Sequence, residues 1–149
     1  LMGIDMEADY QWSKQWQSHF TLAYVRAENT SDNHAIAQIP PLEATASLEY
    51  LGSGWLLGGE LRAVARQTRV DDDPATGSGL DFGETGGFNI VNLYGSYQVS
   101  KQGELKFGID NVFDKLYAEH LNKPNAFDPT PIQVNEPGQS VWARLNMKF

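Results

Sequence analysis

Apolar and polar positions alternate without a slip over 139–149: Val141, Ala143, Leu145, Met147 and Phe149 fall on one side, Ser140, Trp142, Arg144, Asn146 and Lys148 on the other. Strand side chains point to opposite faces with period two, so the segment has one greasy face and one largely wet face. About ten residues also suits a tilted strand that crosses a bilayer. The alternation recurs along the chain. It places Ile4, Met6, Ala8, Tyr10 and Trp12 on one face over 3–12, and Trp16, Ser18, Phe20, Leu22 and Tyr24 over 16–26. Leu42, Ala44, Ala46, Leu48 and Tyr50 follow over 42–50, then Leu57, Gly59, Leu61, Ala63 and Ala65 over 55–66. Strands five and six follow over 88–99 (Val91, Leu93, Gly95, Tyr97, Val99) and 105–109 (Leu105, Phe107, Ile109).

Seven strands result, and their connections are of two kinds. Those at 13–15, 52–54 and 100–103 are tight and carry turn residues; those at 27–41, 67–87 and 114–138 are long. They alternate strictly, so an antiparallel up-and-down meander would carry every tight turn at one end and every long loop at the other. Transmembrane β-barrels have this asymmetry. A Greek-key sandwich has no reason to show it.

The aromatic residues point the same way. Tyr10, Trp12, Trp16, Tyr50, Trp55, Tyr97 and Phe149 all lie near a tight turn or the last residue, and would form a belt at headgroup level. A looser second belt is expected at the loop end from Tyr24, Phe88, Phe113 and Tyr117. The core of a soluble β-sandwich binding domain, the rival reading, would not sort its rings to one end of every strand.

Composition narrows the classes further. The mean hydropathy of −0.42 leaves no apolar run of the length a membrane helix needs, which a β-barrel does not require. With no cysteine there is neither a disulfide framework nor a thiolate metal site. A net charge of −8 argues against a nucleic-acid partner, which needs clustered Lys and Arg. The chain starts at Leu1 already inside the alternation, with neither a basic region nor a signal-peptide core. Seven is odd, whereas single-chain bacterial barrels have even strand counts. Residues 1–149 therefore read as the C-terminal portion of a larger barrel.

The segment from Gly108 to Tyr117, with Asn111, Val112, Phe113, Asp114, Lys115 and Tyr117, resembles the penultimate-strand motif N-(L/V)-F-D-(K/R)-x-Y of TonB-dependent outer-membrane receptors. Pro137 and Gly138 then match that family's Pro-Gly lead-in to a last strand ending in Phe, with Gln139 where Arg is commoner. Gln38-Ile39-Pro40-Pro41 also looks like the family's Pro-containing approach to a strand. The resemblance covers nearly the whole chain. It implies an all-β barrel of about 22 strands with a plugged lumen, these being its last seven, in the outer membrane of a Gram-negative bacterium. It also implies active uptake energised through TonB by a plug domain and a TonB box elsewhere in the protein. Partners would be outer-membrane lipid, the TonB complex and the barrel-assembly machinery, with Phe149 as the assembly signal.

A narrower resemblance concerns cargo. Tyr117-Ala118-Glu119-His120-Leu121-Asn122 followed by Val134-Asn135-Glu136-Pro137-Gly138 looks like the tail of the copper-receptor branch. Copper is thus the first expectation, with a ferric-siderophore receptor of the same family, or a passive porin-like barrel, as alternatives. His120 and His34, in long loops, are candidate imidazole ligands for such a metal; each is also readable as a loop histidine held by hydrogen bonds. His19 has inward parity and reads as lumen lining, while Met2, Met6 and Met147 have outward parity and read as lipid-facing. Asp71-Asp72-Asp73 resembles a hard-cation cluster but reads more simply as a solvated loop. No acid–base pair or nucleophile–His–carboxylate spacing suggests an enzyme, and no resident cofactor is expected.

Overall fold

The computed structural model describes residues 1–31, 33–123, 130 and 132–148. Seven strands form: β1 (Met2–Gln11), β2 (Trp16–Arg26), β3 (Glu43–Leu51), β4 (Trp55–Val64), β5 (Phe88–Ser100), β6 (Gly103–Asp110) and β7 (Ser140–Met147). They make one antiparallel sheet in sequence order, an up-and-down meander with β1 and β7 as unpaired edges. The sheet is not closed. No helix among the described residues is long and apolar enough to cross a membrane, which says nothing of strands.

Register carries the alternation across the whole sheet. Ile4 pairs with Tyr24, Phe20 with Ala46, Ala46 with Leu61 and Leu61 with Val91. The row at mid-height continues through Leu93 opposite Ile109 and Ile109 opposite Val141. Each outward residue thus meets an outward partner, because a slip of one would put apolar side chains among the charges of the other face. Met2, Met6 and Met147 lie on this exposed apolar face, as their parity requires.

Boundaries shift slightly from the sequence reading. β1 stops at Gln11, since the Trp12 N–H turns to the Trp16 carbonyl. β6 begins at Gly103, which leaves only Lys101 and Gln102 in the turn, and a bulge between Gln98 and Ser100 absorbs the irregularity.

The inner face carries two rings laid over glycines of the adjoining strand. A Cβ on Gly58 would stand 2.5 Å from the Tyr94 ring, and one on Gly108 would stand 2.5 Å from the Trp142 ring. Each ring lies against its neighbour's bare backbone, a pairing that compensates for the side chain glycine lacks.

The belt at the tight-turn end is present. Tyr10 packs edge-on to Trp12 at 4.5 Å, Trp16 on Tyr50 at 5.0 Å, and Tyr50 stacks on Trp55 at 5.2 Å. Trp55 faces Tyr97 across β4 and β5. Phe149, assigned to the same belt, lies outside the described residues. The looser belt is only half as expected. Phe113 is 76% exposed, but Phe88 turns inward with Val64 and Ile90 and packs at a tilt against Tyr117, ring centres 4.3 Å apart. These residues form a small apolar core beneath the loops, which offers the two rings more burial than a position on the rim.

Candidate functional site

The long connections meet over the inner face at the loop end, and their contacts begin with Arg62. Its position opposite Thr45, on the inward parity of β4, aims the guanidinium into the lumen. Nε and Nη2 donate to the two Glu43 oxygens, both at 2.7 Å, a fork matched to the carboxylate. Nη1 donates to Glu119 in the last loop. The Arg62 guanidinium also stands 5.5 Å from the centre of the Phe88 ring. One side chain therefore ties β3, β4, the β5 entrance and the loop after β6. Burial against this cluster pushes the Tyr117 phenol above its usual range, with the charges of Glu136 and Glu119 adding to the effect.

Asp81 is the second junction. Its Oδ1 accepts the Gln38 N–H at 2.7 Å and its Oδ2 the Asp71 N–H at 2.8 Å, joining the first and second long loops. His120 brings in the third. Its Nδ1 lies 3.0 Å from Thr85 Oγ1, and its Nε2, with no hydrogen-bond partner, faces Asp81 Oδ1 at 3.7 Å. The side chains of His120 and Asp81 are 1% and 3% exposed. Thr85, His120 and Asp81 thus stand in the order of a hydrolytic triad, which sequence spacing did not reveal. The Thr85 hydroxyl belongs to a buried residue, and the Asp81 carboxylate already holds two backbone N–H groups. The geometry of the set is that of a joint between loops.

His34 lies elsewhere, at a cleft of about 300 Å³ lined by Asp71, Asp72 and Asp73. Within that triplet Asp71 is committed to its own loop. The Ser78 N–H and hydroxyl and the Gly79 N–H hold its carboxyl below the usual carboxylate range. Asp73 accepts the Ala75 N–H and the Thr76 hydroxyl. His34 and His120 are therefore not brought to a shared site.

The family motif forms a clamp between strands. Asn111 and Asp114 both adopt positive φ, 50° and 51°, a conformation that asparagine and aspartate accept better than most residues. The buried Asn111 side chain donates to the Lys115 carbonyl and accepts the Lys115 N–H, at 2.9 and 2.8 Å. Asp114 Oδ1 accepts the Gln139 N–H at 2.9 Å, and the Gln139 amide donates to the Val112 carbonyl. Gly138 sits so close that a Cβ would meet Asp114 Oδ1 at 2.4 Å. Tyr117 accepts the Glu136 N–H at its carbonyl, while Pro137 is exposed just before the clamp. The clamp turns the chain out of β6 and seats the start of β7.

Arg62, Glu43, Thr85 and Asp81 were not singled out from sequence. Glu43 and Arg62 carried an inward parity; the register that pairs them required the fold.

This architecture is matched among known proteins. Residues 1–112 match the family model described as TonB dependent receptor-like, beta-barrel, and the chain belongs to that family. The structure titled "Copper transporter OprC" superposes with TM-score 0.89 at 38% identity, covering 99% of this chain and 24% of that one. The ferric yersiniabactin uptake receptor FyuA from Yersinia pestis gives 0.73 at 15% identity, with coverage of 99% and 23%. A ferric enterobactin receptor of Pseudomonas aeruginosa, PfeA, in complex with enterobactin gives 0.75 at 18%, with coverage of 99% and 22%. The last two are likenesses of fold. The chain spans about a quarter of the length of each of these proteins.

Proposed function

We propose that residues 1–149 are the C-terminal part of the barrel of an outer-membrane receptor that takes up copper, energised through TonB. The observation that carries the cargo is the identity of 38% over 99% of the chain to a copper transporter, against 15% and 18% for the two siderophore receptors. The unpaired edges of β1 and β7 support a larger barrel, since an open edge in lipid leaves backbone groups unsatisfied at several kcal/mol each. The belt of rings supports the membrane setting. A plug domain contributed by the rest of the protein would engage TonB, and Phe149 would serve the barrel-assembly machinery. This part of the chain contributes wall, loops and assembly signal rather than a catalytic site.

The test is copper accumulation by cells with and without the intact receptor, with TonB present or deleted. Accumulation that falls on deleting either one is expected. Unchanged copper together with lost growth on a ferric chelate would transfer the protein to the siderophore receptors. Uptake indifferent to TonB would make it a passive barrel.

A further inference from the structure

We propose a metal site on the inner wall near the tight-turn end: Glu7, Asp9 and His19 bind one divalent transition-metal ion. Glu7 and Asp9 are two apart on β1 and so share its inner face, and Asp9 is the register partner of His19 on β2. His19 Nδ1 lies 2.7 Å from Asp9 Oδ1, and Nε2 lies 3.8 Å from Glu7 Oε1. One ligand atom from each residue falls within 4.8 Å of the others, and among the described residues this is the group of His and acidic side chains that converges so. Ligand atoms bound at ~2.0–2.2 Å to one ion stand roughly 3–4 Å apart, so small side-chain rotations that open the 2.7 Å Asp9–His19 hydrogen bond and draw Glu7 closer would seat an ion among the three. All three residues stand on strands, so sheet register rather than loop conformation sets their spacing.

The surroundings favour a cation. A concavity of about 470 Å³ beside the cluster is lined by Asp9, His19, Glu49 and Glu60, with no Lys or Arg in its wall. Glu49 is held by the Gln17 amide and the Tyr94 hydroxyl, and Glu60 by the Asn92 amide. These neutral donors orient the carboxylates without cancelling their charge. At the loop end the acids are treated oppositely: Glu43 and Glu119 share the Arg62 guanidinium, and Arg66 pairs with Glu84. One imidazole with two carboxylates suits Cu²⁺ or Zn²⁺; a hard ion prefers oxygen alone, and Cu⁺ prefers sulfur. The site deepens the metal-uptake reading and would give a cation a holding point on the wall after it leaves the loops.

Equilibrium titration of the purified intact receptor with Cu²⁺, followed by electron paramagnetic resonance, tests the site. His19→Gln and the pair Glu7→Gln with Asp9→Asn should each bind one Cu²⁺ fewer than the unaltered receptor. The lost component should show splitting from a single imidazole nitrogen and should survive millimolar Ca²⁺. Retention of every Cu²⁺ equivalent in both variants, or displacement of that component by Ca²⁺, overturns the assignment. If a variant yields no folded receptor, Cu²⁺ protection of His19 from diethyl pyrocarbonate in the unaltered protein decides: protection supports the site and its lack overturns it. Failure of the copper-uptake reading is distinguishable, because cellular accumulation would then be receptor-independent while the equivalent lost in His19→Gln would remain.

Discussion

Asp114 reaches across the last long connection to Gln139, accepting its N–H at 2.9 Å although twenty-five positions separate them. The contact fixes where the chain re-enters the sheet. It explains why glycine stands at 138, where any side chain would displace the carboxylate. Asp114→Ala loses the hydrogen bond and strains a residue at φ 51°, which together cost about 2 kcal/mol. Asp114→Asn keeps the backbone tolerance and should cost less than half of that. Gly138→Ala should destabilise similarly, yet add little to Asp114→Ala because both remove one contact. Urea unfolding of the intact receptor measures all three, and full additivity would dissociate Gly138 from the Asp114 carboxylate.

Arg62 is the other residue on which several elements depend. Arg62→Met leaves Glu43 and Glu119 facing each other without a cation. Loss of one partner of a buried pair costs about 3–5 kcal/mol, and the 22% exposure of Arg62 brings the expectation to about 2–3 kcal/mol. Arg62→Lys keeps the charge but not the fork, and should fall between. Hydrogen exchange would locate the damage at the β3–β4 loop end and around Glu119. Exchange that rises only at the tight turns would contradict the role given to Arg62.

How much of this was legible beforehand differs between strand and loop. Period two assigned each strand residue a face, and a meander needs no long-range information to choose partners; hence Leu61, Val91 and Leu93 stood where expected. Phe88 shares the inward parity of Ile90 and Asn92, so the alternation itself places it inside; its expected place in the outer belt came from its nearness to the loop end and ran against that parity. His120 could be named as a candidate from its motif, but not its burial, since Thr85 and Asp81 arrive from a loop with no periodicity. His19 was read as lining because its significance depends on register with Asp9, which no spacing within β2 reveals.

Asp71 gives a pH dependence confined to the second long loop. Its carboxyl is held below its ordinary value, about 4, chiefly by the Ser78 N–H and hydroxyl. A lowered folded pKa means the contribution is fully present above the unfolded value. It is lost as pH falls through the folded value. Protection of the Ser78 and Gly79 amides should therefore hold at neutral pH and decline only in strong acid, below about pH 4. Asp71→Asn should flatten that decline. A decline already evident between pH 5 and 7, in the unaltered receptor, would contradict the role given to the Asp71 carboxyl.

Leu93 and Asn92 test the assignment of faces directly. They are adjacent near the middle of β5; Leu93 meets Gly59 and Ile109 on the outer row, while Asn92 donates to Glu60 on the inner one. If the outer row faces hydrocarbon, Leu93→Arg places a charge near the bilayer midplane at a cost of about 2–4 kcal/mol. Asn92→Arg stays on the polar inner face but removes the acceptor of the buried Asn111 N–H and the donor to Glu60, so it should cost about 1–2 kcal/mol. Unfolding of the intact receptor from lipid vesicles gives both values under one condition. In aqueous protein without lipid the ranking would compress, because an exposed arginine costs little there. A cost for Leu93→Arg of no more than about 1 kcal/mol in vesicles would mean that the outer row does not face lipid, and the membrane reading of all seven strands would fall with it.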